Sequence, residues 1–216
     1  EISDTGHGMD QATATRIFIH TTGLSNVFPI TAATLDNPLL NIQDARLYST
    51  SNGHTFDIFY VLNEHGESFA KNRARAAQVS SALRQGLLFP SSSTFRVQRR
   101  TPRQLKQFTI GTSLYMSNDL ATSLTLLKVI TPDRPGLLAQ IGRIFMRFGL
   151  RLHSAKIATL GERVEDVFYV TDADYQPLFD PVFCQHLRDA ICADLDNRNL
   201  EDASAVAPLP PTKLWD

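Results

Sequence analysis

The stretch Ile42-Gln43-Asp44-Ala45-Arg46-Leu47 returns as Leu152-His153-Ser154-Ala155-Lys156-Ile157, an offset of 152 − 42 = 110. Asp57-Ile58-Phe59-Tyr60-Val61 then returns as Asp166-Val167-Phe168-Tyr169-Val170, at 166 − 57 = 109. The one-residue gap falls at Ser51-Asn52-Gly53, where Asn-Gly is a strong hairpin turn; its counterpart is Gly161-Glu162-Arg163. Upstream, Ile17 and Ile19 match Leu127 and Val129, and Ser25-Asn26-Val27 holds the place of Pro135-Gly136-Leu137. A repeat of roughly a hundred residues is domain-sized, not solenoid-sized. The chain must therefore fold as two related units.

Each unit reads strand, helix, strand, hairpin, strand, helix. In the first, Thr15–Thr21 is a strand, Asn26–Asp36 a short helix, and Asn41–Ser49 with His54–Leu62 a hairpin. A second helix is expected from about Glu67 to Gln85, ended by Gly86. In the second unit, Leu124–Ile130 is too short and too β-branched at its end for a helix. Leu137, Leu138, Ile141, Ile144, Phe145 and Phe148 make one apolar helix face, with Pro135 in its first turn and Gly149 at its stop. Arg151–Thr159 and Val164–Thr171 form the next hairpin, and Asp180-Pro181 opens a last helix buried through Phe183, Leu187, Ala190, Ile191 and Leu195. This order predicts an α+β chain of two tandem ferredoxin-like (βαββαβ) domains. Both alternating sets of Val164–Thr171 hold apolar residues, so the second sheet face is expected to be covered by the other unit or a second chain.

Residues 1–14 are polar and read as a flexible lead-in; the first domain takes 15–117, the second 122–205, and 206–216 is a Pro-rich tail. Within 91–118, Phe95-Arg96-Val97-Gln98-Arg99 and Gly111–Ser117 both look like strands. One should be the fourth strand of the first unit, and the spare one can complete the second unit's sheet. A chain opening at Glu1 is expected to be a piece of something longer.

The formal charge of −1 gives no general attraction to nucleic acid or acidic lipid, and no apolar run approaches a membrane span. Cys184 and Cys192 fall eight residues apart on one helix, about 12 Å along its axis, too far for a disulfide. Buried thiols in a reducing, cytoplasmic compartment are expected. The six histidines are scattered without helical metal-site spacing, so no metal or cofactor is expected. Arg96, Arg99, Arg100, Arg103 and Lys106 form a basic cluster, either a solvated face or a docking surface.

Asp133-Arg134-Pro135-Gly136-Leu137-Leu138, the His153–Thr159 strand and the Gly161–Asp172 hairpin resemble ACT domains, ferredoxin-like regulatory modules that bind amino acids. Asn41–Arg46, Arg99–Phe108 and Ser117-Asn118-Asp119 extend the resemblance to the C-terminal tandem ACT region of the bacterial bifunctional uridylyltransferase/uridylyl-removing enzymes, over about Arg16 to Leu195. The resemblance implies a fragment without catalytic residues that senses L-glutamine for upstream catalytic domains acting on the PII nitrogen-signalling protein. A free-standing tandem ACT regulator working through protein contacts is the alternative, and Asp57–Val61 lacks the glycines and basic residue of an RNA-recognition strand.

The same resemblance implies the ligand residues. Backbone N–H groups of Gly136, Leu137 and Leu138 at a helix start suit a carboxylate, although Pro-Gly also simply shapes a turn. Asp133, beside Arg134, can take the ammonium, and His153 and Ser154 can read the side-chain amide. The equivalent set in the first unit is Ser25, Asn26, Val27, Asn41, Gln43 and Asp44. There Gly23-Leu24-Ser25-Asn26 departs from the Asp-x-Pro-Gly pattern, which favours the second unit's turn.

Overall fold

Alternation in His54–Leu62, Leu124–Pro132 and Arg163–Thr171 buries one side of each strand and leaves the other mostly half-exposed, as a sheet covered by helices requires. The computed structural model describes residues 2–4, 14–23, 27–50, 52–89, 111–160 and 163–196. In chain order the elements are β1 (Ile2–Asp4), β2 (Thr15–Thr22), α1 (Val27–Asp36), β3 (Asn41–Ser49), β4 (His54–Leu62) and α2 (Arg73–Leu88). The second half follows with β5 (Ser113–Asp119), β6 (Leu124–Pro132), α3 (Leu137–Arg147), β7 (Arg151–Lys156), β8 (Thr159–Leu160), β9 (Arg163–Thr171) and α4 (Pro181–Asp196).

The strands form one antiparallel sheet, ordered β1-β2-β4-β3-β7-β9-β6-β5, with β8 on β9. Read outward from its middle, the order is the same on both sides, so the sequence repeat becomes two ferredoxin-like halves joined edge to edge. The seam is β3 against β7, where Ala45 pairs with Ala155 and both are fully buried. Ile17, Phe59, Val61, Leu127, Val129, Phe168 and Val170 line the covered face, in one cluster with Ile30, Leu35, Ile141, Leu187 and Ile191 of the helices. Across the seam α1 packs on α3 so closely that a β-carbon on Gly142 would lie 2.9 Å from Pro29 Cβ.

Several expectations change. The other half extends the sheet sideways and does not stack on its second face. That face keeps Val167 and Tyr169 half-buried and leaves Tyr48 and Tyr115 exposed. The outer edge of each half is filled by a strand that precedes it in the chain. Residues 2–4, expected within a flexible lead-in, pair with β2, and β5 pairs with β6. The spare inter-unit strand thus completes the second sheet, and its residues 113–117 pair outside the 15–117 unit in which they were placed. The other expected strand, Phe95–Arg99, lies outside the described residues, as do the basic cluster and the Pro-rich tail.

Helix α2 starts later than expected, because Asn72 caps it by accepting the Arg75 N–H at 3.1 Å, and it runs through Gly86. Strand β7 ends at Lys156, since the Ile157 N–H turns to the Gln43 carbonyl at 3.0 Å and the Ala158 N–H to Asp166. At α4, Asp180 accepts the Val182 N–H at 2.9 Å, as the Asp-Pro start predicts. The thiols of Cys184 and Cys192 are free and only half-buried. Among the described residues no helix is long and apolar enough to cross a membrane.

Candidate functional site

The turn from β6 into α3 is shaped by Gly136, which caps the helix with φ +79°, a left-handed angle that glycine takes without steric cost. Pro135 therefore precedes the helix; it does not sit in its first turn. The Gly136 N–H is already engaged. It donates to the carboxylate of Asp36, the last residue of α1 in the other half. The Leu137 N–H reaches back to the Arg134 carbonyl at 3.3 Å. The start of α3, expected to hold the carboxylate of a ligand, here holds one that the molecule supplies itself. Asp36 was missed in the sequence. Its signal was there: an acid in the last turn of a helix opposes its own dipole and needs a partner elsewhere.

Around the turn, Asp133, Arg134 and Leu138 are half-buried and Leu137 is buried. Arg134 donates to Gln140 Oε1 at 2.8 Å, and Gln140 in turn donates to the Asp194 carbonyl of α4 at 2.7 Å. These bonds tie the turn to the last helix of its own half.

The strand residues expected beside this turn are exchanged between halves. Ser154 pairs with Tyr169, six residues along β9 from Arg163, which is level with the turn at Pro132. At ~3.3 Å per residue, Ser154 and its neighbour His153 lie roughly 20 Å down the sheet from the turn. His153 instead meets Thr171 Oγ1 at 3.0 Å, and burial, then the Arg151 charge, push its pKa down. At the end of β7 toward the second turn, the neighbouring strand belongs to the first half. Gln43 holds Ile157 through its carbonyl, and Asp44 pairs with Lys156. Burial raises the Asp44 pKa, while Arg46 (Nε at 3.6 Å) and Lys156 pull it back. Asn41 opens the same strand and is exposed. Val27 is buried at the start of α1; Ser25 and Asn26 lie outside the described residues. His20 and His54, distant in sequence, meet on the open sheet face with Nε2 and Nδ1 2.9 Å apart.

Two further acids stand at equivalent places in the repeat. Asp57 is 2% exposed and Asp166 0%, on the helix-covered face of β4 and β9. Burial pushes both carboxyls up to about 7; at Asp166 the Ala158 N–H opposes this and the Asp133 charge adds to it. One oxygen of Asp166 accepts the Ala158 N–H at 3.3 Å. The other, Oδ2, has no hydrogen-bond partner among the described residues, and neither has Oδ2 of Asp57.

The ACT-domain family profile matches residues 125–175, from β6 through the turn, α3, β7 and β9. This segment is an ACT domain. The tandem arrangement around it has close relatives. Over 190 residues the chain is 45% identical to the bifunctional uridylyltransferase/uridylyl-removing enzyme of Pseudomonas putida, covering 88% of this chain and 21% of that protein. The enzyme of the same name in Pseudomonas fluorescens is 47% identical over 181 residues, 84% of this chain and 20% of its own length. That of Pseudomonas entomophila is 44% identical over 190 residues. The chain spans about a fifth of the length of these relatives, and the ACT domain with its companion half corresponds to that fifth.

Proposed function

We propose that this tandem ACT region senses free L-glutamine and thereby sets the balance between uridylyl transfer to, and removal from, the PII protein in a longer enzyme. One observation carries the reading: the N–H of Gly136 at the start of α3 holds a carboxylate that comes from the other half. A free amino acid brings the same group. Where it takes the place of Asp36, it breaks a bond between the halves, so binding and their mutual arrangement are linked. An effector shifts such an equilibrium only by its preference for one arrangement over the other, and loss of the Asp36 contact supplies that preference. Gln43 and Asp44, brought to the same end of the sheet, offer polar atoms to a side-chain amide.

Calorimetric titration of the chain with L-glutamine and L-glutamate is the direct test. Heat of binding for glutamine and none for glutamate is expected; absence of heat for glutamine overturns the reading.

A further inference from the structure

The repeat places an incompletely bonded, buried carboxyl at one equivalent point of each half. Asp57 pairs in register with Ile19 and Leu47, and Asp166 with Val129, two residues before Thr131 at the end of β6. Each lies at the end of the sheet where the first strand of its half turns toward its helix. A buried acceptor without a partner is a cost to folding. A fold that bears this cost twice, at matched positions beside its strand-to-helix turns, points to a ligand and not to packing. Asp44 is buried too and its Oδ1 likewise lacks a hydrogen bond, but there Arg46 and Lys156 supply the opposing charge that Asp57 and Asp166 are not given.

We propose that Asp57 and Asp166 are the amine-receiving groups of two equivalent amino-acid sites, each holding a proton that the ligand's ammonium displaces. The exchange balances: a neutral carboxyl and an ammonium become a carboxylate–ammonium pair, and one proton leaves to solvent. The inference rests on the amino-acid-sensing reading above and adds to it the group that takes the amine and the proton coupling.

In the second half the ligand spans from the α3 start, where its carboxylate replaces that of Asp36, to Asp166 Oδ2. Among the described residues Asp133 is the charged group acting on Asp166, and it disfavours the ionised form until a cation arrives. Val129 and Thr131 of β6 and Ala155 of β7, on the same sheet face, are uncharged. Among the described residues no charged group acts on Asp57, and burial raises its pKa. Because Asp166 is fully covered, the Asp133–Gly136 turn must lift to admit the ligand, and release of Asp36 frees it to do so.

The test is calorimetry of the chain with L-glutamine and a panel of other L-amino acids, in phosphate and in imidazole buffers whose ionisation heats differ. At about pH 6 close to one proton should be released per bound molecule, falling toward none above about pH 8.5. Asp166→Asn, which keeps the shape, should lose the proton release of its site and weaken binding about tenfold or more. Proton-free binding to the unaltered chain, or an unchanged proton count in both Asp166→Asn and Asp57→Asn, overturns the inference and leaves glutamine sensing intact. A different amino acid that binds with proton release, where glutamine is silent, refutes the glutamine reading and keeps these sites. Binding by no member of the panel removes both. Should either variant fail to fold by circular dichroism, the proton count of the unaltered chain decides alone.

Discussion

Gly136 meets two demands at once: a left-handed backbone angle and an N–H turned toward Asp36. Gly136→Ala should destabilise the chain by about 1–2 kcal/mol, read as a lower urea midpoint at unchanged slope, because an L side chain is strained at that angle. Asp57 and Asp166 set a pH dependence. Their folded pKa of about 7 lies above the ordinary 3.8, so the folded state keeps protons that the unfolded state sheds. Their contribution is fully present below the unfolded value and is lost as pH rises through about 7. At most about 4 kcal/mol per site is at stake, from the difference between about 7 and 3.8. Urea unfolding across that range should show stability falling with pH, and the Asp57→Asn, Asp166→Asn double variant should flatten the fall. Gly136 was legible as the hinge of the turn, since Pro-Gly before an apolar helix face has few other uses. Asp166 was not, although it lies in the same alternating set as Val164, Phe168 and Val170: an acid between apolar neighbours breaks a pattern without saying why.

The crossing of α1 and α3 belongs to the scale of elements. With no side chain, Gly142 lets Pro29 and Phe28 approach, and a β-carbon there would meet them at 2.9 and 3.0 Å. Gly142→Leu is expected to cost about 1–3 kcal/mol through overpacking, more than the roughly 1 kcal/mol gained in helix propensity, as a lower denaturation midpoint will show. Strands β3 and β4 and the start of α4 could be placed closely from alternation and the Asp-Pro signal. The ends of α2 and β7 could not. Asn72 wins the start of α2 by capping, and β7 stops because its next N–H groups find partners in Gln43 and Asp166, which no local pattern announces.

At the scale of the molecule the seam governs behaviour. Ala45 and Ala155 are paired across the seam, and both are fully buried. The halves share one sheet and one core, so the chain should unfold in a single calorimetric transition. Ala155→Leu should force the seam apart and split that transition into two, the lower one marking the disrupted second half; one transition with an unchanged midpoint would show that the seam carries little of the stability.

The order of strands and helices, the duplication and the ACT resemblance were determined by sequence alone, because each rests on residue spacings that recur within short windows or at one constant offset. Tertiary structure alone decided that Asp36 would meet Gly136, a hundred residues away, that residues 2–4 would edge the first half, and that the two halves would join through β3 and β7. Those outcomes depend on which edges and helix ends come together in space, and chain order encodes them only through the packing of the whole core.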